Sequence, residues 1–124
     1  MYPIMYNVRQ YFDAPPAVDC VKTIKEEFDR VGLKDIIKPG SNVAITAGSR
    51  GVTNIPLIIK TIVEEVKRVG GKPFIIPSMG SHGGATPEGQ RRVLYDLGIT
   101  EEYVGAPINA VSYTHLTLPT SDLV

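Results

Sequence analysis

The first apolar pattern along the chain is short and alternating. Ile4, Tyr6 and Val8 fall on one side of Ile4–Phe12, with Met5, Asn7 and Arg9 on the other. A period of two over that length predicts a half-buried strand, which Ala14-Pro15-Pro16 ends. The period then changes. Ala17, Cys20, Val21, Ile24, Phe28 and Val31 recur at helical spacing, while Lys22, Lys25, Glu26 and Arg30 fall mostly outside the stripe. A helix is predicted over Ala17–Val31, ended by Gly32, with Cys20 packed in the core.

After the turn Lys38-Pro39-Gly40, Asn42–Ala47 contains the apolar run Val43-Ala44-Ile45, which reads as a buried strand. A glycine loop follows, Gly48-Ser49-Arg50-Gly51. Asn54 then offers an N-cap and Pro56 sits in a first helical turn. Ile55, Ile58, Ile59, Ile62, Val66 and Val69 form the clearest amphipathic pattern in the chain, ending at Gly70-Gly71. Pro73–Pro77, around Phe74-Ile75-Ile76, reads as a second buried strand. A second glycine loop, Ser78–Ala85, leads to Thr86 as N-cap and Pro87 at the first position of another helix. Val93, Leu94 and Leu97 give that helix its apolar face, Gly98 ends it, and Thr100-Glu101-Glu102 starts one more short helix. Strand, helix and strand in succession make a right-handed βαβ unit with parallel strands. The predicted class is α/β, a Rossmann-like open sheet built on a parallel βαβ core.

Composition narrows the function classes. A chain of 124 residues corresponds to about one domain, and 43% hydrophobic with 21% charged residues is globular composition. Thirteen basic and thirteen acidic residues leave no net charge, which argues against a nucleic-acid partner. A single cysteine, Cys20, cannot close an internal disulfide and suits a reducing compartment. No apolar run approaches the ~20 residues of a membrane span, and Met1–Tyr11 lacks the pattern of a secretory signal. A cytoplasmic protein without a membrane partner is expected.

The chemistry concentrates in the two glycine loops, because parallel sheets bind ligands at the carboxyl ends of their strands. Arg50 carries a permanent charge that grips a carboxylate or phosphate with paired hydrogen bonds. The helix starting near Asn54 adds free N–H groups and a positive dipole end. His82 is flanked by Gly80, Gly83 and Gly84, which leave an imidazole accessible to a substrate. An imidazole is a side chain suited to taking and returning a proton in catalysis. The spacings do not match a P-loop or G-x-G-x-x-G fingerprint, and no G-x-S-x-G elbow accompanies the His-Gly-Gly run.

The strings GSRGVTNI, GGKPFIIPSMGSHGGATPEGQ and LGITEE, with the early VRQYF, resemble the N-terminal region of nickel-dependent lactate racemase-like proteins over roughly Val8 to Ile108. That resemblance implies the first of two α/β domains of a 2-hydroxy-acid racemase or epimerase, an isomerase using a nickel-pincer nucleotide for reversible hydride transfer. It implies that His82 is a catalytic acid/base and that Ala47, Gly48, Ser49 and Arg50 contact cofactor and substrate. A second histidine, a lysine tethering the nucleotide and a nickel-binding histidine would lie beyond residue 110. No metal ligand is therefore assigned within this chain. The founding enzymes carry an aspartate where this chain has Ala47, and tend to place an arginine after the histidine where this chain has Gly83. Both departures point away from lactate and toward another small 2-hydroxy acid. The alternative is a non-catalytic phosphate- or nucleotide-binding α/β module.

The closing segment, residues 111–124, breaks the pattern. Val111–Thr120 reads VSYTHLTLPT, which resembles a translated transposon-end sequencing adapter at every position. The expected organisation is a truncated racemase-like domain over 1–110 and an artefactual tail over 111–124. The domain would lack the C-terminal part of its own chain, and His115, lying in the tail, is not read as a ligand.

Overall fold

The computed structural model describes residues 3–110. The tail over 111–124, with His115, lies outside the described residues. The fold is mixed α/β, with five helices and a two-stranded parallel sheet among the described residues. Strand β1 (Asn42–Ala47) and strand β2 (Lys72–Pro77) pair in register from Asn42 opposite Lys72 to Ala47 opposite Pro77. Beyond β2, Ile75 bridges in parallel to Ile108, through its N–H to the Pro107 carbonyl and its carbonyl to the Asn109 N–H, each at 2.8 Å. The βαβ unit expected from the apolar periodicity is present.

Helix α1 (Cys20–Arg30) starts later than the Ala17 boundary read from its stripe, because the Asp19 carboxylate caps it by accepting from the Lys22 N–H. It ends as expected at Gly32, which takes a left-handed conformation. No residue of α1 is buried, and Cys20 is only half-buried, so the expectation of a core cysteine is not met. The stripe of α1 lies against α3 at the periphery of the molecule rather than over the sheet. A short helix, α2 (Leu33–Ile36), follows directly.

Helix α3 (Ile55–Arg68) connects the strands and packs on both, on α1 and on α5. Ile59, Val63 and Val66 of α3 meet Ile45 and Ile75 of the sheet, Leu94 of α4 (Pro87–Asp96), Val104 of α5 (Glu101–Val104) and Ile108 in one core. Burying such side chains contributes about 1.5–3 kcal/mol each. At the edge of this core Glu65 is buried, and its carboxylate accepts from the Arg68 Nε–H at 2.6 Å. The same guanidinium reaches Asp29 of α1 at 3.0 Å. The hydrogen bond and charge of Glu65, with a smaller contribution from Asp29, raise the Arg68 pKa above its ordinary value.

Two expectations fail for one reason. Burial in β1 holds for Ile45 and Ala47 but fails at Ala44, which is exposed, and Phe74 and Ile76 of β2 are only half-buried. The helices cover one face of the sheet and leave the other without a cover among the described residues. Ile4–Phe12 forms no strand: it has no regular structure, and Ile4, Tyr6 and Val8 are each at least 80% exposed. Alternating apolar residues specify a strand only when a sheet edge receives them. No helix among the described residues is long and apolar enough to cross a membrane.

Candidate functional site

The two glycine loops leave the same edge of the sheet, since β1 and β2 run parallel and end together at Ala47 and Pro77. The Ser78 N–H donates to the Ala47 carbonyl at 2.7 Å and ties the loops at their roots. Past that bond they diverge around an open cleft of about 400 Å³. Gly48, Ser49, Arg50, Val52 and Ile55 line it from one side; Ser78, Met79 and His82 line it from the other.

His82 and Ser49 meet across this cleft, with Ser49 Oγ 2.5 Å from His82 Nδ1. Both Ser49 and Arg50 reach the cleft, and Arg50 is exposed with no acidic partner among the described residues. Among the described residues no carboxylate lines the cleft. Its walls therefore offer a cation, a hydroxyl, an imidazole and the apolar surfaces of Val52, Ile55 and Met79. The N-terminal end of α3 opens here too, at Ile55, bringing its positive dipole end to the cleft. Asn54 stands at the N-cap position as read from sequence, yet its side chain makes no capping bond. Its backbone is left-handed (φ 61°), which asparagine tolerates better than most residues and which differs from the extended conformation usual for a side-chain N-cap.

Gly48, Ser49, Arg50 and His82 thus come together as the sequence suggested. Ala47 does not join them. It is 1% exposed, in the core at the end of β1, and it is not among the residues lining the cleft.

The loop that carries His82 is shaped from below. His82–Ala85 is a short 3-10 segment broken by a kink, with Gly83 and Gly84 both left-handed at φ 66° and 67°. The Gly83 carbonyl accepts from the Thr86 N–H at 3.4 Å and from Thr86 Oγ–H at 3.2 Å. Thr86 Oγ in turn caps α4 by accepting from the Gly89 N–H at 3.1 Å, as predicted for this N-cap. Gly83 and Gly89 touch backbone to backbone: a Cβ built on Gly83 would lie 2.4 Å from the Gly89 carbonyl carbon. Gln90, 5% exposed, donates through Nε2 to the Gly80 carbonyl at 2.9 Å and closes the loop's other end.

Gly89 and Gln90 were not singled out from sequence. The available signal is Gly89 itself, a poor helix former placed in the first turn of a capped helix, where a close neighbour is the usual reason.

A second hollow, of about 300 Å³, lies among Phe28, Asp29, Gly32, Leu33, Lys34 and Arg68. Its cation Arg68 is already paired with Glu65 and Asp29, and it holds no histidine. The cleft between the glycine loops is the candidate site.

No family model, curated protein or solved structure matches the chain.

Proposed function

We propose that this cleft is one half of the active site of a 2-hydroxy-acid racemase or epimerase, carried on a Rossmann-like first domain. The class is the one implied by the resemblance to nickel-dependent lactate racemase-like proteins. The observation that supports it is the meeting of His82 with Ser49 at one edge of the parallel sheet, beside an exposed Arg50 that has no acidic partner among the described residues. A proton-exchanging group and an anion grip then face the same small volume.

In this reading Arg50 holds the substrate carboxylate or a cofactor phosphate by paired hydrogen bonds. His82 takes the proton of the substrate hydroxyl and gives it back. The apolar side of the cleft, Val52, Ile55 and Met79, excludes water from the substrate's remaining substituent. Positioning of this kind lowers a barrier by fixing the reacting atoms in advance.

The residues present also fit the anionic part of a nucleotide. Gly48 presents bare backbone, with room for a ligand where a Cβ would approach only the Ser78 carbonyl, at 3.7 Å. Gly80 has open space on the side where its Cβ would stand. Gly48, Ser49 and Arg50 would hold that part of the group. A nickel-pincer nucleotide, when bound, supplies a reversible acceptor for the hydride of the substrate α-carbon.

Binding and turnover test the proposal separately. Titrating the chain with a 2-hydroxy acid or with inorganic phosphate should move the amide signals of Gly48 and Ser49, and Arg50→Gln should weaken binding about tenfold or more, the scale of a lost charge-assisted bond. In a protein carrying both halves of the site, His82→Asn should slow racemisation by about 10²–10⁴-fold, the usual worth of a general acid/base. Racemisation surviving near the wild-type rate removes His82 from the mechanism. Phosphate binding that persists in His82→Asn, in a protein that racemises nothing, favours the phosphate- or nucleotide-binding module instead.

A further inference from the structure

The bond between Ser49 and His82 involves Nδ1, the ring nitrogen nearer the backbone. The contact closes between residues 33 positions apart, from two different loops, at 2.5 Å. Among the described residues no other hydrogen bond to either side chain occurs. The ring is otherwise exposed at the cleft, leaving Nε2 as its unengaged nitrogen.

We propose that Ser49 is a positioning residue that fixes which nitrogen of His82 exchanges protons. With Nδ1–H donating to Ser49 Oγ, the lone pair of neutral His82 stands on Nε2, where a substrate hydroxyl can reach it. When that nitrogen acts, the substrate O–H bond breaks, its electron pair stays on oxygen and the proton forms the Nε2–H bond. The imidazolium then carries both protons, and Nδ1–H still donates to Ser49. Return of the Nε2 proton restores the starting tautomer. A hydroxyl can fill this post because it accepts without carrying charge, whereas the reverse bond, with Ser49 Oγ–H donating to Nδ1, would leave the ring proton on Nε2. A carboxylate there would pair with the imidazolium and hold the proton against its return. Ser49 thus aims the ring without placing a charge beside it.

This inference rests on the acid/base reading of His82, but its test reads the ring alone and so fails independently of the binding and turnover experiments. The long-range ¹H–¹⁵N correlations of the two histidine rings are recorded on the whole chain above and below neutrality, with the His82 signals identified by their loss in His82→Gln. In the wild-type chain neutral His82 is expected in the Nδ1–H form. Ser49→Ala should shift the ratio of the two neutral forms toward Nε2–H by about two- to tenfold, the equilibrium worth of one net hydrogen bond. Ser49→Thr, which keeps a hydroxyl, should restore the wild-type ratio. An Nε2–H ring in the wild-type chain overturns the proposal without any variant. So does a folded Ser49→Ala whose ratio is unchanged, or a folded Ser49→Thr that behaves like Ser49→Ala.

Discussion

Gly89→Ala reverses the usual sign of a helix substitution. Alanine in place of glycine within a helix ordinarily stabilises by about 1 kcal/mol. At Gly89 the new methyl would be centred 1.8 Å from the Gly83 carbonyl oxygen and 2.9 Å from Thr86 Oγ. The nearer neighbour is backbone and cannot rotate away, so the loop carrying His82 must lift off α4. Lifting it loses the two hydrogen bonds from Thr86 to the Gly83 carbonyl, worth about 1 kcal/mol apiece. Overpacking typically adds about 1–3 kcal/mol more. Set against the helix gain, the net expectation is destabilisation by about 2–4 kcal/mol. Urea unfolding followed by circular dichroism reads this as a fall in midpoint of roughly 1–3 M, at the slopes usual for a small domain. The correlations of the His82 ring report in parallel whether its contact with Ser49 survives. A Gly89→Ala chain as stable as the wild type, or more so, with an unaltered ring would refute the claim that α4 shapes the loop from below.

Three further outcomes follow from the same packing. Gly51→Ala should leave stability unchanged or raise it by about 0.4–1 kcal/mol in the same denaturation assay, since its Cβ would enter open space and alanine restricts the unfolded chain. Gln90→Ala should cost about 1–3 kcal/mol, because it strips the Gly80 carbonyl of its donor, and should speed amide exchange in Gly80–Gly84. Leu94→Ala, at a fully buried position, should cost about 2–5 kcal/mol while Ser49 and His82 keep their contact in whatever fraction remains folded.

Where the sequence was legible, one local pattern sufficed. The apolar spacing of Ile55 to Val69 and the Thr86-Pro87 start signal each specify a helix without reference to the rest of the chain. The rim shared by Ser49, Arg50 and His82 followed from parallel connectivity, because a βαβ crossover brings successive strand ends together. Ile4–Phe12 and the outer face of β1 were misread because alternation or an apolar run states a demand for partners without saying whether they are met. Ala47 was placed with the turn that follows it, but the alternation of β1 turns its methyl inward. The contacts made by Gly89 and Gln90 were missed because they join segments through backbone atoms, which leave no periodic trace.

The Gly83–Gly89 contact has a consequence for how such a protein can change. The side chains facing the opening and those anchoring the fold are largely different sets, so under the proposed function ligand preference could drift at Val52 or Arg50 without disturbing Ile75 or Leu94. At the two touching glycines that independence ends. Under the proposed function, a mutation there would alter durability and chemistry in a single step, so adaptation to new ligands would have fewer open routes through the histidine loop than through its neighbour.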